Sequence, residues 1–170
     1  LESERQSLVQ KVGENVIIRK KESIGGDNLY SYIHSNGKVG ALVSLKDDNE
    51  ELGKDIAMHV TASNPKFLSP EDVDSETIEK EKQILKAQVE DTNKPEEIIE
   101  KMIEGRLNKF LSEISLLKQP FVKDPSTSIE NILNDHKNSI VEFTRIEVGE
   151  GIEVEQKDFA SEVQAQLQNS

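Results

Sequence analysis

Asn36-Gly37 constrains this chain more than any other feature, because it stands between two runs of strand-forming residues, Tyr30-Ser31-Tyr32-Ile33-His34 and Val39-Gly40-Ala41-Leu42-Val43-Ser44-Leu45. An Asn-Gly pair supplies the two positive-φ residues of a two-residue hairpin turn and so commits both runs to antiparallel pairing. Upstream, Val16-Ile17-Ile18-Arg19 is β-branched and apolar, and Gly25-Gly26-Asp27 breaks the chain before Tyr30. The pattern predicts a further strand there, hence a sequential antiparallel meander with one face to cover. Before it, Leu8 and Val12 are spaced one helical turn apart and Gly13 follows, which predicts a short helix over 3–12.

The cover is predicted over 48–62, where Leu52, Ile56, His59 and Val60 recur on one side of a helical wheel. Asp47, Asp48 or Asn49 can cap this helix, and Asn64-Pro65 ends it. Residues 66–74 read as a connector. From 75 to 117 the chain turns dense in Glu and Lys, with Ile78, Leu85 and Val89 as one sparse apolar spine. After a turn at Asp91 to Pro95 comes a second stripe, Ile99, Ile103, Leu107, Phe110, Ile114 and Leu117, in steps of four and three. So short a turn makes the two helices antiparallel, and their thin stripes predict a projecting coiled-coil hairpin, rooted in the core through Leu107 to Leu117. Gln119-Pro120-Phe121-Val122 then reads as extended, with a short helix at about 127–134, a strand at Ile140 to Val148 and a turn at Gly149-Glu150-Gly151. Phe159, Val163 and Leu167 make a terminal amphipathic helix. The expected fold class is α+β, a small antiparallel sheet packed with helices. It divides into a core over 1–74 and 118–153, the hairpin over 75–117 and a C-terminal helical module over 154–170.

Composition narrows the function. The 170 residues suit about one domain. Charged residues are 32% and aromatic ones 4%, so the core must be aliphatic and much helix surface solvated. With no Cys there is no disulfide, thiolate-bound metal or thiol nucleophile. A net charge of −12 opposes binding to nucleic acid or to an anionic membrane. No apolar run is long enough to span a bilayer, and the start at Leu1, without a signal-peptide pattern, reads as a fragment or processed piece of something longer. A protein partner is the remaining expectation.

Histidine is the side chain whose ordinary pKa lies near neutrality, and none of His34, His59 and His136 stands in a catalytic context. His59 lies on the apolar stripe near a helix C-terminus, where a packed histidine favoured by the helix dipole competes with a site. His34 alternates with Tyr30 and Tyr32, so the three line one face at the hairpin tip, a pattern that suits either plain packing or a contact patch. His136 reads as surface. The glutamates of the hairpin belong to solvated faces paired with Lys. Neither Gly25-Gly26 nor Gly149-Glu150-Gly151 has phosphate-loop spacing, and no metal-binding motif occurs. Neither a cofactor nor an enzymatic activity is expected.

Six stretches in order resemble the elongation factor Ts family: Val12-Gly13-Glu14-Asn15 leading into Ile17-Ile18-Arg19; Ile56-Ala57-Met58-His59-Val60; Glu104-Gly105-Arg106-Leu107-Asn108-Lys109-Phe110; Gln119-Pro120-Phe121-Val122; Glu147-Val148-Gly149-Glu150-Gly151-Ile152-Glu153; and Asp158-Phe159-Ala160-Ser161-Glu162-Val163. The family consists of guanine-nucleotide exchange factors for elongation factor Tu in bacteria and organelles. The resemblance implies the second half of the family's core, its coiled-coil protrusion and its C-terminal module. It implies that His34 and the 119–122 loop touch the third domain of Tu, and that Phe159 and Val163 lie on the module's apolar face, packed on Tu's GTPase domain or on this chain's own body. The family's Thr-Asp-Phe-Val wedge does not occur here, and Lys157-Asp158-Phe159 is only a lookalike. Thr61 and the Glu-rich hairpin depart from the family's usual character. The residues expected at a partner surface are His34, Tyr32, His59, Phe121, Val122, Phe159 and Val163. Self-association through the arm is a further expectation, a structural tether without exchange activity the rival reading, and the bacterial cytosol the expected location, with plastid or mitochondrion the alternative.

Overall fold

The computed structural model describes residues 1–89 and 95–151. Helix α1 (Glu2–Val12) has Glu2 and Glu4 in its first turn and Lys11 in its last, the arrangement that suits the helix dipole. It ends at Gly13, whose φ of 76° lets its N–H reach the Val9 carbonyl at 2.9 Å. No residue of α1 is buried.

The sheet has three strands, β1 (Asn28–Ile33), β2 (Val39–Leu45) and β3 (Ile140–Glu147), antiparallel throughout and in that spatial order. The hairpin at Asn36-Gly37 is present, but its turn is not the two-residue type. The His34 N–H donates to Val39 O at 2.9 Å, leaving Ser35 to Lys38 as the loop, and Gly37 N–H donates to His34 O at 2.8 Å. Only Gly37, at φ 66°, is left-handed; Asn36 instead uses its side chain, accepting from the Lys38 N–H at 2.9 Å.

The strand expected at Val16 to Arg19 does not form, and the third strand of the antiparallel sheet is β3 instead. The second edge of β2 is taken by β3, from much later in the chain, and Ile17 stays 67% exposed. Among the described residues no strand pairs with the outer edge of β1, so β-branched composition alone did not bring this segment onto the sheet. Residues 14–27 instead run irregularly beside the β3 side of the sheet, where Arg19 donates to Gly151 O at 3.4 Å and the Gly25 N–H donates to Glu142 at 3.0 Å.

Helix α2 (Glu50–Ser63) covers one face of the sheet. Asn49 caps it, its side chain accepting from Leu52 N–H at 3.1 Å, and Asn64 ends it in the left-handed region at φ 49°. Strand register puts Tyr30, Val43 and Phe143, and likewise Tyr32, Ala41 and Arg145, on the covered face. There Val43, Ile56, Ala57, Val60, Leu116 and Ile129 are essentially inaccessible. Each buried Val, Leu or Ile side chain contributes roughly 1.5–3 kcal/mol. Gly53 is required by its neighbour: a Cβ there would lie 2.1 Å from Cδ2 of Tyr30. The Tyr30 hydroxyl is itself fixed, donating to Asp48 at 2.5 Å and accepting from Asn49 N–H at 2.9 Å.

After α2 the connector runs beside the segment that leaves the helical hairpin. Lys66 and Phe67 N–H donate to Ile114 O at 2.8 and 3.1 Å, and Leu116 and Leu117 N–H donate to Phe67 and Leu68 O at 2.9 and 3.0 Å. The start of α3 (Ser75–Val89) and the end of α4 (Glu96–Ile114) therefore lie together, and the pair is antiparallel. The two helices pack on one another with Leu85, Val89 and Leu107 buried, and Arg106 donates to Gln88 at 3.2 Å. Except for Pro95, the turn expected between them lies outside the described residues. The helix ends at Ile114 rather than continuing to 117; Leu116, in a short 3-10 turn, is the residue that enters the core. Helix α5 (Ile129–Asp135) starts from Ser128, whose hydroxyl accepts from Asn131 N–H at 3.2 Å, and Ile129 and Leu133 join the same core. The terminal helix expected around Phe159, Val163 and Leu167 lies outside the described residues.

Candidate partner-binding face

The direction of α2 fixes what lies at each end of the domain. Gly53 lies under Tyr30, while the Thr61 carbonyl, eight positions on, accepts from Arg145 Nε at 3.2 Å, and Arg145 is in register with Ala41 and so with Tyr32. The helix thus runs from the Tyr30 end towards the hairpin turn, carrying His59 to the end of the sheet where His34 sits.

His34 is exposed at that turn, one residue beyond β1. Tyr32 and Tyr30 are half-buried and pack against the core, so the shared face predicted for the three residues holds for the tyrosines as core packing, with His34 at its solvent end. His136 is exposed, and its Nδ1 bonds the Ile132 carbonyl at 2.9 Å.

His59 is wholly inaccessible and offers no surface to a partner. Its Nε2 lies 2.9 Å from Oε1 of Gln119, and its Nδ1 accepts from the Val122 N–H at 3.3 Å. The amide orientation of Gln119 is set independently, because its NH2 donates to Glu113 O at 2.6 Å in the last turn of α4, one of the carbonyls that a helix leaves unsatisfied. The carbonyl end of Gln119 must then face His59, which puts the imidazole proton on Nε2 and leaves Nδ1 as the acceptor. His59 is the packed histidine of the sequence reading, but it is held by Gln119 and the Val122 N–H rather than favoured as a cation by the helix dipole. Burial pushes its pKa below the ordinary 6.5, against a smaller opposing effect of the Gln119 bond, and the ring is neutral.

The 119–122 loop divides between inside and outside. Phe121 points into the core, 8% exposed, with its ring centroid 6.1 Å from that of His59, so it anchors the loop and does not offer a contact. Val122 is 39% exposed. Backbone bonds from Phe121 N–H to Thr127 O at 2.9 Å and from Ile129 N–H to Gln119 O at 3.1 Å close the loop from below. Phe159 and Val163 lie outside the described residues.

Gln119 is the functional-site residue that sequence reasoning missed as a structural partner. Its signal was a Gln next to Pro-Phe in a chain with one stripe histidine to satisfy. A second surface was missed altogether. The face of the sheet opposite α2 carries a groove of about 420 Å³ lined by Ile33, Leu42, Thr144, Ile146 and Val148, with Ile33 71% exposed. Among the described residues no group of three acidic or His side chains could hold a metal, and no helix is long and apolar enough to cross a membrane.

Comparison with known proteins matches nearly the whole length of the chain. A family model described as elongation factor TS matches residues 1–150. The elongation factor Ts of Hahella chejuensis is 50% identical over 167 residues, covering 98% of this chain and 58% of the relative. That of Azotobacter vinelandii is 52% identical over 168 residues, covering 98% and 58%, and that of Francisella tularensis subsp. novicida is 45% identical over 166 residues, covering 98% and 57%. The chain thus spans under two thirds of the length of these curated relatives. With its β–β–α–β core, its inserted helical hairpin, a family model matching residues 1–150 and 45–52% identity to these bacterial proteins over 98% of its length, the chain belongs to the elongation factor Ts family.

Proposed function

We propose that this chain is the Tu-anchoring part of a guanine-nucleotide exchange factor, acting in translation elongation in a bacterial cytosol. The observation that supports the reading is the family match running through residue 150. On this reading the exposed His34 and Val122 meet the third domain of elongation factor Tu, with Tyr32, Phe121 and His59 supporting them from inside. Phe159 and Val163, in a helical module over 154–170, meet the GTPase domain. Residues 75–117 form a coiled-coil arm that supports self-association.

An exchange factor makes and breaks no covalent bond. Its whole power is the difference between its affinity for nucleotide-free and nucleotide-bound Tu. A thousandfold weakening of nucleotide binding requires about 4 kcal/mol of such difference. Contacts that are equal in both states hold the partner without promoting release. The Thr-Asp-Phe-Val wedge of the family does not occur in this sequence, so the chain carries chiefly the holding contacts.

The test is release of a fluorescent GDP analogue from Tu with and without a stoichiometric amount of the chain, followed by gel filtration of the mixture. Co-elution with little acceleration is expected. Fast release would mean that the C-terminal half suffices for exchange. If the chain neither bound Tu nor released nucleotide, the structural-tether reading would replace this one.

A further inference from the structure

We propose that His59 is a positioning residue for partner binding: from inside the domain it holds the Val122 edge of the 119–122 loop in its contact geometry, and only in its neutral form. The inference rests on the reading that this loop meets Tu. It goes beyond that reading by assigning the loop's geometry to a buried hydrogen-bond relay.

The relay has three links and no slack. Glu113 O fixes the Gln119 amide at 2.6 Å, Gln119 Oε1 fixes the Nε2 proton of His59 at 2.9 Å, and the free lone pair on Nδ1 receives the Val122 N–H at 3.3 Å. The end of α4, the middle of the loop and α2 are thereby tied through one imidazole. A second proton on His59 would go to Nδ1 and point at the Val122 N–H. Two donors would then face each other at a part-buried position where the inaccessible ring cannot turn to water, a situation that breaks the bond to Val122. The remaining backbone bonds, Phe121 N–H to Thr127 O and Ile129 N–H to Gln119 O, do not involve the ring. Protonation would therefore release Val122 and leave the rest of the loop closed.

Among the described residues the carboxylates on the elements around the ring are engaged elsewhere; Asp124, two residues past Val122, accepts from the Ser126 N–H and hydroxyl at 3.1 and 2.6 Å. On α2, Asp55 is paired with Lys123 of the loop at 2.5 Å; on α4, Glu113 is paired with Lys109 at 3.8 Å. Lys118, just before Gln119, is paired with Glu130 of α5 at 2.6 Å. From β3, Arg145 is paired with Glu147 at 2.8 Å. His34 lies exposed on the same reading's contact surface, and a His34→Gln background separates its contribution.

The experiment uses the whole chain. Hydrogen exchange of the Val122 amide, expressed as protection relative to the intrinsic rate, is measured between about pH 7.5 and 5, alongside the Phe121 amide, and Tu affinity is measured in parallel. Val122 protection is expected to fall at least about tenfold with acid while Phe121 protection holds. His59→Phe is expected to abolish Val122 protection at every pH and weaken Tu binding about tenfold. His59→Asn places a carbonyl near the Nδ1 position and is expected to recover most of the affinity; His59→Gln, which reaches only towards Gln119, is not. Equal binding by the Asn and Gln variants, or pH-independent Val122 protection in the unmodified chain, overturns the proposal even where the Phe variant fails to fold. Val122→Asp tests the underlying reading separately: undiminished Tu binding would remove the loop from the interface, while the exchange data would still judge the role of His59.

Discussion

A buried neutral histidine makes stability depend on pH in one direction. The native pKa of His59 lies below the 6.5 of the unfolded chain, so the unfolded state takes up a proton that the native state refuses. The contribution is therefore fully present above about pH 6.5 and is lost as pH falls below it, at no more than about 1.4 kcal/mol per pH unit. Urea unfolding between about pH 7.5 and 5 is expected to show this decline, and His59→Phe to flatten it. Gly53 carries a second prediction at this scale. Because the Tyr30 ring is tied at its hydroxyl to Asp48 and Asn49, it cannot retreat from an added methyl. Gly53→Ala is expected to cost about 1–3 kcal/mol, read as a lower urea midpoint with an unchanged slope. The sequence showed that His59 sits on an apolar stripe. It could not show that Gln119 and a loop amide satisfy both ring nitrogens, because those partners lie about 60 residues away and depend on how α4 ends.

At the scale of elements, what was local in the sequence was legible. The signals at Gly13, Asn49 and Asn64-Pro65 and the apolar periodicities of α2 and α4 located their helices to within a few residues. The hairpin was read correctly from Asn36-Gly37, although its loop is longer than that pair alone requires. The failure was at Val16 to Arg19, where three β-branched residues stay irregular although the outer edge of β1 is unpaired among the described residues. The helical hairpin offers a sharper test. None of Leu85, Val89 and Leu107 belongs to the central core cluster, and the segments entering and leaving the pair are hydrogen-bonded side by side at Phe67 and Leu116. Replacing residues 75–113 by a short Gly-Ser linker is expected to leave a domain that still unfolds cooperatively. Far-UV circular dichroism would lose about the helix content of the removed segment, while a non-cooperative melt would show that the pair is part of the core.

For the molecule as a whole, the sheet's two faces have different partners. One is filled by α2, α5 and Leu116; the other is an apolar groove of about 420 Å³ open to solvent. The alternation in β1 hinted at the second face, since Leu29 and Ile33 fall out of step with the tyrosines, but a search for one buried face passes over it. The order of strands along the chain also sets a timetable. The hairpin of β1 and β2 is local and closes within microseconds, whereas β3 begins at Ile140, about 95 residues after β2 ends at Leu45. At about 5–20 residues per second of synthesis, one edge of β2 waits roughly 5–20 s on the ribosome for its neighbour. During that interval the nascent chain presents an unsatisfied strand edge, Val39 to Leu45, with almost no charge to repel another copy. The interval in which that edge is bare is thus set by the speed of translation itself.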